Sequence, residues 1–561
     1  MCEVAADFYE DFFKKSNIIR PHPYTDFPPI DFDNKDETIP EVTLDELLHV
    51  MQAKRKKKSL DAHGISNFMF NFLDQRHWSL LLQLYNLSFR NSILPTAWKD
   101  TRIILLAKKD AICSPSLTSP ISLLDSFQKV GEKLFLTRFR DLITRRGLLP
   151  DNQSGFRDGF RLQTRLLLFL EDIYSLMANS APVSTIFVDF RTAFDRLWFS
   201  GCIGKLRKLG IPPSYLNWIE AWLLNRRCYI EIKGKKSRWF AIEKGGPQGS
   251  VLTPTLFITF NCDMGLSLPG CVSHFFADDL AAIVAGQLGV RFMNQCIDLE
   301  KRIKIFLDQL EYYSCLTDQP INAVKTEAIF SARAVGLPKF DIHFNNGDDG
   351  KIKWVQEYKY LGYFISRKLG WGKLLNRTKI KVRQRISLIN SFKIFGTSSP
   401  RLRKVLVSSF VLPIFTWIYP IFPLLSVNQQ HDLSHFYYTS LRRVLRCLCW
   451  KETFFSFALD EKSLEDRCSS YWNKYLCALA DSSDGELLFE KANINTFRQS
   501  WLKKDFPIKC LRRSKRFIPH QSIIEKVLCW LTSVPSRSSV PWYEIDEIQL
   551  LEDFPESFVF M

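Results

Sequence analysis

Asp278 and Asp279 lie side by side between two apolar runs, His274-Phe275-Phe276-Ala277 and Leu280-Ala281-Ala282-Ile283-Val284. Such a pattern reads as a β-hairpin with carboxylates at its tip. An ionised carboxylate in a half-buried strand is costly unless compensated, and two neighbours also repel each other. A divalent cation is the usual compensation, since Mg²⁺ takes one or two carboxylates plus substrate phosphates. The pair is therefore a candidate phosphoryl-transfer site, with a surface turn as the alternative. Asp348-Asp349 illustrates that alternative: Asn345, Asn346, Gly347 and Gly350 surround it, and a loop is expected there.

A third carboxylate lies upstream. Val183-Ser184-Thr185-Ile186-Phe187-Val188 is a β-rich run ending in Asp189-Phe190, and it leads into a helix-like start at Arg191-Thr192-Ala193-Phe194-Asp195. Asp189 at a strand end is expected to meet Asp278 and Asp279 across a sheet. Three carboxylates around two cations would form a clamp for in-line displacement at phosphorus. Between them, Gly245-Gly246-Pro247-Gln248-Gly249-Ser250 is a glycine-rich turn opening an apolar helix, which would let backbone approach a nucleotide closely.

These three pieces, in this order, resemble a reverse transcriptase of the non-LTR (LINE-type) retrotransposon family. Phe187-Val188-Asp189-Phe190 through Ala193-Phe194-Asp195 is similar to the first palm motif, Gly246-Pro247-Gln248-Gly249-Ser250 to the second and Phe276-Ala277-Asp278-Asp279 to the third. Pro95-Thr96-Ala97-Trp98-Lys99, Pro120-Ile121-Ser122-Leu123-Leu124 and Lys129-Val130-Gly131-Glu132-Lys133 resemble fingers elements, and Gln153-Ser154-Gly155-Phe156-Arg157 the Gln-x-Gly-Phe-Arg element. Lys325-Thr326 resembles the fourth palm motif, and Tyr358-Lys359-Tyr360-Leu361-Gly362-Tyr363 the strand that supports the primer. The likeness runs from about residue 40 to about residue 450.

The resemblance implies an α+β right-hand polymerase: fingers, a palm with an antiparallel sheet, and a helical thumb, followed by a C-terminal extension. Asp189, Asp278 and Asp279, with the Phe190 backbone carbonyl, would hold two Mg²⁺ ions (or Mn²⁺). Lys325 would be the general acid for the leaving pyrophosphate. Phe194 would be a steric gate whose ring crowds a ribose 2′-hydroxyl while a deoxyribose fits; the alternative is a core residue of the helix start. Gln248, Gly249, Lys108, Lys109 and Arg157 would contact the incoming dNTP. Tyr360, Leu361, Gly362, Lys379, Lys381, Arg383 and Arg385 would contact primer and template. The implied partners are an RNA template, a DNA primer or target DNA, and dNTPs.

One departure bears on nucleotide affinity. Ser119 precedes Pro120-Ile121-Ser122, where the family usually has an arginine, and a serine lacks the charge and the two-pronged phosphate grip of a guanidinium. Lys108 and Lys109 are expected to replace that contact.

The charge distribution agrees with a nucleic-acid partner. The chain of 561 residues has a formal charge of +17. Residues 351–404 hold fifteen Lys or Arg and one acid, Glu357, with Trp354, Tyr358, Tyr360, Tyr363 and Trp371 interleaved. Such a surface suits phosphates and bases, whereas a solvated helical face normally alternates signs. Expected boundaries are a loosely packed, acidic and Pro-rich lead-in at 1–40, fingers at 41–182, a palm at 183–365 with a fingers insertion at about 200–244, a thumb at 370–480, and an extension of unassigned role at 481–561 carrying Arg512-Arg513-Ser514-Lys515-Arg516. The run Lys54-Arg55-Lys56-Lys57-Lys58 fits either a nuclear-import signal or phosphate contact.

Val405 to Val427 carries no charge and is long enough to span a bilayer, but Pro413, Pro420 and Pro423 oppose a straight membrane helix, and a buried thumb element is expected. Acidic residues break any N-terminal apolar region. Fourteen cysteines without a Cys-x-x-Cys pair point to a reduced setting, in the nucleus or cytoplasm rather than secreted or membrane-bound. His431, His435, Cys447 and Cys449 lack zinc-knuckle spacing and are expected in core or surface roles. The nicking endonuclease usual in the family has no visible counterpart, so a truncated element product is expected. Two other functions stay open: an RNA-dependent RNA polymerase, which would not normally place a ring at Phe194, and a catalytically impaired nucleic-acid-binding relic.

Overall fold

A computed structural model describes residues 1–28, 30–53, 58–108, 110, 113–178, 182–286, 292–331, 338, 340–345, 350–391, 400–445, 462–479, 482–491 and 522–534. Lys109, most of the basic run at 54–58, Asp348 and Asp349, Cys447 and Cys449, and the basic cluster at 512–516 lie outside the described residues. In chain order the strands are β1 (Asp100–Ala107), β2 (Thr118–Leu124), β3 (Val183–Val188), β4 (Arg226–Ile232), β5 (Lys235–Lys236), β6 (Phe240–Ile242), β7 (Val272–Phe276), β8 (Asp279–Ala285), β9 (Glu327–Ser331), β10 (Ile342–His343), β11 (Lys351–Trp354), β12 (Glu357–Tyr360) and β13 (Tyr363–Ser366). With the helices they form a mixed α+β architecture containing several sheets.

The first sheet has the order β2-β1-β4-β5, with β6 also paired to β4. Because β4 runs parallel to β1, chain that follows Asp189 returns to a sheet begun before it. Helices Gln75–Asn91, Ser126–Arg145, Phe199–Lys208 and Pro213–Leu223 cover this sheet around a core that includes Trp78, Phe135, Trp218 and Trp222. Helix Cys2–Phe12 joins the same core through Ala5, Ala6 and Tyr9. The first turns of the chain are therefore packed, not a loose lead-in. The apolar residues at 5, 6, 9 and 13 share one helical face, while Asp7 and Glu10 on the other side pair with Arg238. The prolines that dominated the composition begin only after this helix ends.

The second sheet has the order β10-β11-β9-β3-β8-β7, and β3 is antiparallel to both its neighbours. Every residue of β3 is buried, as expected of a β-branched and aromatic run covered on both sides. Alternation sends Ile186 and Val188 to one face, where they meet Leu299, Ile303, Phe306 and Leu310 of helix Phe292–Thr317. Val183 and Phe187 face the other way into a larger core. That core gathers helix Leu162–Ala178, the β12–β13 hairpin, helices Gly372–Ser391 and Val427–Leu445, and the C-terminal helices Leu464–Leu479, Ser483–Lys491 and Ile523–Ser533.

Helix Leu162–Ala178 anchors the late segments. Asp484, which is fully buried, accepts hydrogen bonds from the Arg161 amide at 2.9 Å and from the Thr164 hydroxyl. Lys491 pairs with Asp172, and the Ile523 amide donates to Glu171 at 2.7 Å. The charge-free stretch after Val405 is divided between helices Pro400–Phe410 and Leu412–Thr416 and a 3₁₀ turn at Phe422–Leu424, with Val411, Phe415, Ile418 and Phe422 in the core. Among the described residues no helix is long and apolar enough to cross a membrane.

Candidate active site

The β7–β8 hairpin closes on the pair Phe276↔Asp279, leaving Ala277 and Asp278 as its two-residue tip. In the neighbouring pairing Val188 stands opposite Leu280, so Asp189, the next residue, runs beside Asp279. The carboxylates therefore converge from two adjacent strands at one end of the sheet. Their electrostatics record the proximity. Burial, then Asp278 and Asp189, push the Asp279 carboxyl up to about 6, although part of its surface is open to solvent. Burial, with the Asp189 charge, also raises Asp278.

Asp189 is held by a loop that arrives from helix Phe292–Thr317. Its Oδ2 accepts from Asn322 Nδ2 at 2.7 Å, and its backbone carbonyl accepts from the Asn322 amide at 2.7 Å. The Arg191 amide donates to the Pro320 carbonyl at 2.8 Å, and neither backbone bond uses the Phe190 carbonyl. Lys325 is exposed, with Nζ 3.8 Å from Asp189 Oδ2. Among the described residues no three His, Cys, Asp or Glu side chains are gathered into a ready-made metal cage. The Asp189 carboxylate is turned toward Asn322 and Lys325 instead.

The glycine-rich turn is pinned to the protein itself. The Gly246 amide donates to the Phe194 carbonyl at 2.8 Å, and the Ser122 amide on β2 donates to the Gln248 carbonyl at 2.8 Å. Gly249 has φ +139°, and a Cβ there would lie 2.4 Å from the Ser122 carbonyl oxygen. Ser250 Oγ donates to Glu132 at 2.7 Å; Glu132 is wholly buried and also accepts from Trp222 Nε1 at 3.0 Å. Gln248 Nε2 donates to both Asp195 carboxylate oxygens, at 2.9 and 2.7 Å. Burial pushes the Asp195 carboxyl up to about 7, against the lowering effects of Gln248 and Lys108. The Phe194 ring is half-buried, 4.6 Å from Phe257 and 6.1 Å from Phe156.

Other expected contacts fall in different places. Lys108 is exposed at the end of β1 and its amide donates to the Leu117 carbonyl, which puts it next to Ser119 on β2. Arg157 donates to the Pro150 and Gln153 carbonyls at 2.7 and 3.1 Å and stacks on Phe160, which ties it to its own loop. Tyr360 and Leu361 were expected to touch primer and template, but they are buried at 2% and 9% exposure. Tyr360 packs 4.6 Å from Phe169, and Tyr358 stacks on Phe187 at 4.0 Å, so the hairpin braces β3 from beneath. Leu361 and Gly362 form its tight turn, both with positive φ. On helix Gly372–Ser391, Lys379 pairs with Asp432 at 2.5 Å, and Arg383 lies over Phe436. Lys381 and Arg385 are exposed and line a groove of about 500 Å³ with Phe410 and Ile414. His431 and His435 are exposed on helix Val427–Leu445.

Three residues quoted in motifs without a role, Glu132, Gln153 and Asp195, and one not quoted at all, Asn322, prove to brace the candidate site. Each is a polar side chain that is buried or sits beside a candidate carboxylate, and each has its partner far away in sequence. Gln153 Oε1 accepts from the Gly155 and Ala277 amides, and its Nε2 donates to the Ala277 carbonyl.

Comparison with known proteins agrees with this geometry. The family described as Reverse transcriptase (RNA-dependent DNA polymerase) matches residues 107–365. The probable RNA-directed DNA polymerase from transposon BS of Drosophila melanogaster is 25% identical over 446 residues, covering 77% of this chain and 48% of that protein. The RNA-directed DNA polymerase from mobile element jockey of the same organism is 28% identical, covering 62% of this chain and 37% of its own length. The Pol polyprotein from the type-1 retrotransposable element R2 of Popillia japonica is 24% identical over 55% of this chain and 45% of its own. The chain thus spans about half the length of the first of these relatives, and less of the others. The chain is homologous to the reverse transcriptases of non-LTR (LINE-type) retrotransposons.

Proposed function

We propose that this chain is an RNA-directed DNA polymerase that adds dNTPs to a primer 3′ end on an RNA template. The observation that carries the reading is the register of β3 on β8, which sets Asp189 beside the Asp278-Asp279 tip inside the matched region. Under this reading the first sheet and its helices are the fingers, the second sheet the palm and the helices from Gly372 onward the thumb.

The donor set fits a hard divalent cation, being oxygen only and anionic. Asp189, Asp278 and Asp279, with the Phe190 carbonyl, are the residues that would hold two Mg²⁺ ions. Bound there, the ions supply charge stabilisation for the attacking and leaving oxygens. The raised carboxyls of Asp278 and Asp279 favour the same assignment, because carboxylates crowded together and partly buried are poised to accept positive charge. Asn322 orients Asp189, and Lys325, 3.8 Å from it, is placed to give a proton to a leaving phosphate oxygen. The Phe194 ring, backed by Phe257, excludes a 2′-hydroxyl, while Asp195 fixes Gln248 near the base pair being formed. Lys381 and Arg385 contact the duplex backbone.

The test is extension of a DNA primer on a defined RNA template with Mg²⁺, comparing deoxy- and ribonucleotides. Deoxynucleotide-preferring extension that Asp278→Asn abolishes, with template–primer binding retained, is the expected result. Preference for ribonucleotides would replace this reading with an RNA polymerase. Salt-dependent RNA binding without synthesis would leave a non-catalytic relic.

A further inference from the structure

The tip that presents Asp278 has an unusual backbone. Ala277 has φ +62° whereas Asp278 has no positive φ, so the two-residue turn has the type II′ pattern, whose first central position normally takes glycine. An L-residue there costs about 1–2 kcal/mol. The compensation comes from outside, from residues 152–155 laid along the open edge of β7. The Phe275 amide donates to the Asn152 carbonyl at 2.7 Å, and the Ser154 amide to the Phe275 carbonyl at 3.1 Å. From that added strand the Gln153 amide group, 5% exposed, reaches the tip. Its Oε1 takes the Ala277 N–H at 2.9 Å and its Nε2 gives to the Ala277 carbonyl at 3.0 Å, so the peptides on both sides of Ala277 are gripped by one planar group. The Gly155 amide donates to the same Oε1 at 2.8 Å and fixes the amide's rotation. Gly155 also comes so close that a Cβ would lie 2.1 Å from the Ala277 nitrogen. Behind it, Ser154 Oγ accepts from buried Arg165 at 2.9 Å.

We infer that Gln153 is a positioning residue for Asp278: it locks the left-handed Ala277 peptide pair and thereby fixes the direction in which the Asp278 carboxylate projects. The inference rests on the polymerase reading for its catalytic consequence but not for the lock itself. Gln153 touches no reacting atom. Its amide supplies the acceptor and the donor that this tip needs, whereas glutamate supplies only the acceptor and alanine neither.

The full chain carrying Gln153→Ala or Gln153→Glu tests this with three readouts: hydrogen exchange at the Ala277 amide, Mn²⁺ affinity of the free protein, and extension rate per titrated active site. Gln153→Ala is expected to raise exchange at Ala277 by about tenfold or more and to weaken Mn²⁺ binding. Its extension rate per active site should fall on the order of 100-fold, the scale of an ångström-sized misplacement, with dNTP and duplex affinities unchanged. Gln153→Glu keeps both accepted N–H bonds but sets an oxygen against the Ala277 carbonyl, so it should restore protection of the Ala277 amide and recover only part of the rate. Unchanged exchange at Ala277, or a loss confined to melting temperature and the fraction of active enzyme, would overturn the proposal. A wild-type chain that extends no primer would instead remove the polymerase reading, and exchange and Mn²⁺ affinity would still decide the lock.

Discussion

The tip of the β7–β8 hairpin and the turn at 245–250 both bring the chain into the left-handed region beside the candidate site, but they are stabilised by opposite means. The tip uses Ala277 and is held by a side chain from another segment. The turn uses Gly245 and Gly249, with backbone packed so closely that a Cβ at Gly245 would lie 2.5 Å from the Asp195 carbonyl oxygen. A turn closed by backbone contacts tolerates no side chain at its glycines. A turn held by one amide tolerates substitution at its own positions and is sensitive at Gln153 instead. The carboxylate that would hold metal sits on the turn locked by a distant side chain, and Gln248 sits on the turn closed by its own backbone.

Substitutions can break that contrast. Gly249→Ala should be the most damaging, because positive φ and the clash with the Ser122 carbonyl combine. A loss of about 2–4 kcal/mol is expected, read as a lower urea midpoint; a loss under about 0.5 kcal/mol would mean that the turn yields. Phe194→Ala should relax discrimination against ribonucleotides by about 10- to 200-fold, the scale of one pocket contact. Competitive incorporation measures this, and unchanged selectivity would return Phe194 to the core.

Asp195→Asn probes the support of Gln248 through pH. The native carboxyl titrates at about 7 against an ordinary value of 3.8, so the folded state holds its proton more tightly. The contribution is fully present below about pH 4 and is lost as pH rises through 7. Wild-type stability relative to Asp195→Asn should therefore decline between those limits, and a parallel pH profile for the two proteins would contradict the burial. Ala277→Gly should have the smallest effect. Relief of the left-handed penalty and the added entropy of the unfolded chain are each about 1 kcal/mol and opposite in sign. A stability change within about 1 kcal/mol, with Ala277-position exchange still protected by Gln153, would sharpen the comparison.

The carboxylates were legible because each interrupts or ends an apolar run, and interruption is visible locally. The mixed α+β character was legible for the same reason. What holds the site was not. Gln153 and Ala277 are 124 positions apart, and nothing in either segment reveals the pairing. Asp195 reads as a charged helix start until Gln248 is seen folded over it. Tyr360 and Leu361 were set against primer and template by the resemblance, and Tyr360 also by the basic stretch around it; neither says which face of the hairpin is covered, and here the larger core covers theirs. Helix Cys2–Phe12 was hidden by averaging over forty residues whose prolines all follow it.

The bond between the Glu171 carboxylate and the Ile523 amide spans 352 positions. During synthesis the helix beneath the aspartate-bearing sheet must wait for helix Ile523–Ser533 to leave the ribosome. Until then, the apolar side of Leu162–Ala178 that will receive Ile523, Ile524 and Val527 stays open. Contacts of such separation form late and slowly, so a nascent chain would carry all three aspartates long before it could enclose the helix beneath them.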